Sequence, residues 1–203
     1  MQPLSFSKKF DNCFELICKM RSCRISKIVV AVSMGVSAIL FGCGSLQKPP
    51  TVKNLDAQKY MGTWYEIARI ETPFQRGKFN SKALYSLRKD GRIDIVNSAE
   101  NSKGEKSSAR AVAYAPNAND VAQLRVSFFW PFYSDYLVLF VDNDYQNALV
   151  GGSSKNYLWI LSRSQEIAPE KLKEILQYAK SLGYDTSKLL FNSELKKSKK
   201  LAN

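Results

Sequence analysis

This sequence predicts an all-β domain, a sandwich or a barrel, followed by one helix. Three observations carry that expectation. Short apolar runs separated by turn signals recur at roughly 8–14-residue spacing through the middle of the chain. Within them apolar and polar residues alternate with the period of a strand that is wet on one side. Only one stretch, near the C-terminus, has apolar residues at helical spacing. The 203 residues are 45% apolar and 24% charged, a composition able to build a packed core, and the length suits a single domain.

The first element reads as an address rather than as part of the fold. Residues 28–41 are uncharged and follow a basic stretch at 20–27. An apolar run of that length fits a secretory signal and falls short of the roughly 20 residues that span a bilayer. It ends in Leu40-Phe41-Gly42-Cys43, whose resemblance to a bacterial lipobox implies that residues 1–42 are a signal peptide and Cys43 the first mature residue. A short buried helix and a plainly cleaved signal are the competing readings. Counted from Met1, the presequence exceeds the about 15–30 residues of a signal peptide. Counted from Met20 it does not, which points to Met20 as the start of translation. Cys13, Cys18 and Cys23 all lie upstream of the cut, so the mature domain is expected to fold without a disulfide even in an oxidising compartment.

Residues 43–53, which contain Pro49-Pro50, are expected to form a tether. Residues 54–192 hold the folded domain. Strands are expected over 63–70, 82–88, 92–97, 108–115, 121–128, 136–141, 146–151 and 157–163. In the fifth, Ala122, Leu124, Val126 and Phe128 alternate with Gln123, Arg125 and Ser127. Lys89-Asp90-Gly91 joins the second and third as a hairpin turn. The helix is expected over 169–182, where Leu172, Ile175, Leu176, Ala179 and Leu182 share one face. Pro169 stands at its first position, Glu170 in its first turn, and Gly183 stops it. Residues 193–203 form a basic tail, either a solvated end or a contact for anionic lipid.

Composition also excludes chemistry. There is no histidine, which removes His-based triads, His-ligated zinc and imidazole general-base catalysis. The formal charge is +12, but the basic residues are scattered over the domain, and no nucleic-acid partner is expected. Gly151-Gly152 lacks the strand-to-helix context of a phosphate-cradling loop. Glu66 is a lone inward-parity carboxylate, which reads as a hydrogen-bonded core group rather than a general acid. The expectation is a protein with no catalytic residue, no metal and no cofactor.

Several segments resemble a known family. Gly62-Thr63-Trp64-Tyr65-Glu66-Ile67-Ala68-Arg69 resembles the first lipocalin signature, G-x-W, in the form typical of bacterial lipocalins and their apolipoprotein D-like relatives. Asp142-Asn143-Asp144-Tyr145 resembles the D-x-D-Y block between the sixth and seventh strands. Arg163 stands where the family's terminal arginine closes the eighth strand. The stretches 126–133 and 157–163 are similar to the bacterial subgroup in particular, and Leu40-Phe41-Gly42-Cys43 resembles a bacterial lipobox, with Phe41 where a small or β-branched residue is usual. The resemblance implies an eight-stranded antiparallel up-and-down β-barrel with one C-terminal helix, acylated at Cys43. It further implies an outer-membrane location facing the periplasm, because Gly44 and Ser45 lack the aspartate that signals inner-membrane retention.

In such a barrel Gly62, Trp64, the turn with Asp142, Asp144 and Tyr145, and Arg163 gather at one end. They are expected to hold the fold, with Trp64 plugging the closed end, Arg163 stacked on its indole and Gly62 passing without a Cβ. Ligand contacts are expected on the lining and at the opposite mouth. The lining set is Ala68, Ala83, Tyr85, Val126, Phe128, Val138, Phe140 and Trp159, with Ala122 and Gly151 on the same inward parity. The mouth set is Arg76, Lys78, Trp130 and Phe132. Small and large lining residues together permit a cavity and equally fit a filled core. Likewise the mouth aromatics are either packed shut or form a greasy rim, with Arg69, Arg76 and Lys78 available to an anionic headgroup. A 16-carbon chain buries roughly 12 kcal/mol gross at about 0.8 kcal/mol per methylene, against a cost of at least about 4 kcal/mol for association.

Three functions fit. The first is a membrane-anchored protein that stores or transports fatty acids or lysophospholipids. The second is an enzyme acting on a hydrophobic substrate inside the barrel, and the third a structural lipoprotein without cargo. Homodimerisation is left open.

Overall fold

The computed structural model describes residues 48–192. The expected signal peptide, Cys43 and the basic tail at 193–203 lie outside the described residues. Eight strands run β1 (Gly62–Ile70), β2 (Phe79–Leu87), β3 (Ile93–Glu100), β4 (Lys106–Tyr114), β5 (Gln123–Phe129), β6 (Phe132–Val141), β7 (Asn147–Gly151) and β8 (Leu158–Ser162). Each pairs antiparallel with the next, and β1 pairs with both β2 and β8, so the sheet closes on itself. This is the eight-stranded up-and-down barrel that the resemblance implies.

Local chemistry accounts for the joints. At the β2–β3 turn Gly91 has φ +78°, and Asp90 Oδ1 accepts the Arg92 N–H at 3.1 Å. A one-turn helix α1 (Ala57–Tyr60) precedes β1, capped by Asp56, whose Oδ1 accepts from Gln58 N and Lys59 N. Helix α2 (Pro169–Ser181) follows β8 with Pro169 in its first turn. It stops at Gly183, φ +80°, where Gly183 N–H donates to Lys180 O and Tyr184 N–H to Ala179 O, the paired bonds of a Schellman end. A 3-10 turn (Thr186–Lys188) then leads into a short strand β9 (Leu189–Phe191), which pairs with the second half of β1 after β1 has parted from β2. Three residues of β9 and four of α1 are too short to impose a period on the sequence, so neither is foreseen there.

Buried residues divide into two clusters. One fills the barrel, from Trp64, Tyr85, Ile93 and Ile95 through Leu124, Val126 and Val138 to Val150 and Leu161. The other lies outside the sheet, where Ile67, Leu137, Leu139, Leu149 and Ile160 meet Ile175 and Ala179 of α2. Here β1, β6, β7 and β8 are apolar on both faces because a helix covers what would otherwise be the wet one. Of the stretch expected as a tether, Val52 N–H donates to Val138 O at 3.0 Å and Lys48 Nζ lies 3.1 Å from Asp135, so this part runs along β6. Among the described residues no helix is long and apolar enough to cross a membrane.

Candidate ligand-binding site

The closed end is built around Trp64, which is fully buried and donates its Nε1–H to Tyr60 O at 2.8 Å. The Arg163 guanidinium lies 3.9 Å from the Trp64 ring centroid. Its nitrogens donate to the carbonyls of Lys59, Met61, Thr63 and Tyr145 at 2.7–3.2 Å. Gly62, at φ +93°, passes so close that a Cβ would meet Arg163 Nη1 at 3.2 Å. Asp142 accepts from the backbone N–H groups of Gln146 and Asn147 and from the Asn147 amide. The Tyr145 hydroxyl accepts the Asp56 N–H at 2.8 Å, and Asp144 takes part through its carbonyl, which accepts from the Gln146 amide. A surface hollow of about 410 Å³ between Lys59, the 143–146 turn and Arg163 lies on this outer side, away from the lining.

The up-and-down order of the strands puts the connections 71–78 and Trp130-Pro131 at the other end. Trp130 and Phe132 are exposed, at 81% and 65%, and Phe74 is exposed on the 71–78 connection. Arg76 is exposed and Lys78 half-buried on the same connection.

Five of the expected lining residues, Ala83, Tyr85, Val126, Val138 and Trp159, belong to the barrel-filling cluster, as does Ala122. Ala68 and Phe140 do not. Both pack in the outer cluster, Phe140 with its ring centroid 6.1 Å from that of Tyr178 on α2. The reason is the same for each. A register shift between Glu66 and Ala68 in β1, and another between Val138 and Phe140 in β6, inserts one extra residue and reverses the facing beyond it. Gly151 also faces outward, since a Cβ there would fall 2.3 Å from the Tyr184 hydroxyl. Phe128, within a third shift between Val126 and Phe129, is about half exposed near the β5–β6 turn instead of lining the interior.

The first of these bulges turns Arg69 inward. It is fully buried and pairs with Glu66 at 2.5 Å, and its second terminal nitrogen donates to the carbonyls of Gln75 and Lys78. Arg69 is therefore not a headgroup contact: its charge faces Glu66 and its donors hold the 71–78 connection. The Gln75 side chain completes the knot, donating to Glu66 Oε2 at 2.9 Å and accepting from Trp159 Nε1 at 3.0 Å. Burial pushes the Glu66 carboxyl up, against the pull of Arg69 and Gln75.

Deeper in the barrel three tyrosines join by their hydroxyls, Tyr60 to Tyr136 at 2.8 Å and Tyr85 to Tyr136 at 3.1 Å. Burial pushes the Tyr85 hydroxyl up to about 12 and raises those of Tyr60 and Tyr136 as well. Among the described residues no group of three or more acidic or cysteine side chains is placed to hold a metal.

Comparison with known proteins decides the family. Residues 55–194 match the lipocalin-like domain. The chain belongs to the lipocalins. This lipocalin is 40% identical over 170 residues to the outer membrane lipoprotein Blc of Escherichia coli strain K12, covering 81% of this chain and 96% of that protein. It is 31% identical over 158 residues to apolipoprotein D of Macaca fascicularis, with 73% and 82% covered. The structure of insecticyanin from the tobacco hornworm Manduca sexta superimposes with a TM-score of 0.60 at 20% identity, over 73% of this chain and 86% of that one, which reflects the shared fold.

The lipocalin signatures mark the closed end, so motif reading finds that end and passes over the polar groups of the interior. Gln75 sits in a loop without periodicity, and Tyr136 opens a strand that alternation begins at that residue. Tyr60 lies in α1, ahead of the first expected strand. Only inward parity would have flagged Tyr136, as it did Tyr85.

Proposed function

We propose that this lipocalin is an outer-membrane lipoprotein, acylated at Cys43 after removal of residues 1–42, that faces the periplasm and stores or transports fatty acids or lysophospholipids. Lipocalins bind hydrophobic ligands, and the relative from Escherichia coli is itself named an outer membrane lipoprotein. The observation that carries the reading is the state of the interior. Ala83, Tyr136 and Trp159 face into a closed barrel yet are only partly buried, as the walls of a hollow are, in a cluster that is mainly apolar apart from the linked tyrosine hydroxyls and Gln75. The rim supports the same reading, with Phe74, Trp130 and Phe132 exposed where an acyl chain would enter and Arg76 and Lys78 beside them. An apolar lining supplies affinity, and charge at the rim supplies orientation.

The test is to purify the protein from its membranes, extract it with organic solvent and identify the lipids by mass spectrometry. Fatty acids or lysophospholipids in stoichiometric amount are expected. Protein that carries no lipid and takes up none when offered would defeat the reading, and chemically altered lipid after incubation would replace it with a catalytic one.

A further inference from the structure

The tyrosines of the barrel interior bring one more hydrogen-bond donor than they use. Three hydroxyls carry three protons, and the two contacts that link Tyr60, Tyr136 and Tyr85 take up two. However the donors are arranged, one O–H remains, and among the described residues no further acceptor meets it. A hydroxyl proton kept from water without a partner is unfavourable, so such groups are normally paired.

The free proton has a place to point. Tyr60 and Tyr85 are buried, at 1% and 5% exposure, whereas Tyr136 remains partly accessible in the barrel. The Tyr136 oxygen can accept from both neighbours through its two lone pairs and keep its own proton for the interior. Its surroundings are apolar: Leu124 is its cross-strand partner, and Val126 and Val138 belong to the same cluster. The cation that bears on Tyr60 and Tyr85 is Arg163, whose donors go to four carbonyls of the closed end. A site with one neutral donor, apolar walls and, among the described residues, no free cation suits an uncharged oxygen and penalises an ionised one. The raised hydroxyls of all three tyrosines express the same penalty on negative charge. Tyr136 lies four residues along β6 from Phe132 at the mouth, about 13 Å of strand, so the oxygen it meets belongs well down the chain of a ligand whose headgroup stays at the rim.

We propose that Tyr136, backed by Tyr60 and Tyr85, anchors an uncharged oxygen partway along the bound chain, which makes oxygenated long-chain lipids, such as hydroxy- or keto-acyl chains, the favoured cargo. This rests on the lipid-carrier reading and narrows it.

The purified protein is titrated calorimetrically with stearate and with a mid-chain hydroxystearate. The hydroxylated lipid should bind about two- to twelvefold more tightly, the range of one net hydrogen bond. In Tyr136→Phe that preference should vanish while stearate binds as before. In Tyr60→Phe it should survive, because two hydroxyls sharing one bond still leave one proton over. Should Tyr136→Phe fail to fold, the infrared carbonyl stretch of a mid-chain ketostearate bound to the unaltered protein gives the answer: a shift to lower frequency than in alkane is expected, and an unshifted band overturns the assignment. Equal affinity for the two lipids, as an ordered water on Tyr136 would give, or a preference that survives Tyr136→Phe, overturns this inference alone. Failure of both lipids to bind overturns the carrier reading with it.

Discussion

The Arg163 guanidinium lies 3.9 Å from the centroid of the Trp64 ring while its nitrogens reach four backbone carbonyls from three segments, the α1 end, β1 and the β6–β7 turn. One planar cation thus satisfies carbonyls that the entering chain would otherwise leave unpaired and covers the indole that plugs the barrel. Burial works against the cation and lowers the Arg163 pKa, and the four carbonyl acceptors offset that cost.

Trp64→Ala removes the plug and leaves a void beneath the guanidinium. A loss of about 3–5 kcal/mol is expected, as for other large-to-small core changes. Urea unfolding measures it, and a loss below about 1 kcal/mol would show that Trp64 is not what closes the barrel.

How far the sequence reveals this molecule depends on which residues are asked about. Trp64 and Arg163 were legible because a motif fixes both and alternation sets their end of the barrel. Ala68 and Phe140 were not, because each lies one residue past a register shift, in a strand apolar on both faces once α2 covers it. Around the shift in β6, Leu137 to Val141 offer period-2 counting no polar residue to betray the slip, and in β1 the polar residues flanking the shift, Glu66 and Arg69, are both buried. Arg69 was misread for the same reason: the bulge that turns Ala68 out turns Arg69 in, onto Glu66. Gln75 and Tyr136 depend on meetings between residues distant in sequence, Gln75 with Trp159 and Tyr136 with Tyr60.

The Glu66–Arg69 pair yields a second prediction. Both side chains are nearly inaccessible, at 6% and 1%. Arg69→Met alone strands a buried carboxylate and should cost about 3–5 kcal/mol. Glu66→Leu combined with Arg69→Met should cost less than the single change, since no unpaired charge is left. Denaturant midpoints of the two variants decide it, and a double variant less stable than the single one would mean that the pair is held for its own attraction.

Alkaline stability should report on the tyrosines. The folded Tyr85 hydroxyl is pushed up to about 12 from an ordinary value of 10, so the folded state holds its proton over a pH range where the unfolded state has released it. The stability so contributed is present in full below pH 10 and lost as pH rises through about 12. Each such group adds up to about 1.4 kcal/mol per pH unit to the slope within that window. Tyr85→Phe should make the fall shallower, with no change in slope below pH 10. Urea midpoints taken across this range test it, and identical slopes would place the Tyr85 hydroxyl in contact with water.

Attachment is separable from folding in the proposed anchor. Cys43→Ser should leave far-ultraviolet dichroism and thermal unfolding unchanged, because the barrel draws its core from residues downstream, yet should release the protein from membranes. Unchanged membrane fractionation of this variant would defeat acylation at Cys43.

Headgroup recognition can be parted from chain burial by charge. Arg76 and Lys78 sit on the 71–78 connection at the mouth, Arg76 exposed and Lys78 half-buried, whereas Arg69 behind them is engaged by Glu66. Reversing both, Arg76→Glu with Lys78→Glu, should weaken fatty acids and lysophospholipids while sparing an uncharged long-chain alcohol. An exposed ion pair is worth about 0.2–1 kcal/mol, and reversal adds repulsion, so the loss should be modest and should shrink with added salt. Trp159→Asp should instead weaken every ligand, because it places an unpaired charge among the lining residues and removes the indole that donates to Gln75. Displacement of a fluorescent fatty acid, run for both variants at low and high salt, reads the difference. If the reversed pair weakens the alcohol as much as the acid, the basic mouth plays no part in headgroup recognition and affinity resides in the apolar lining alone.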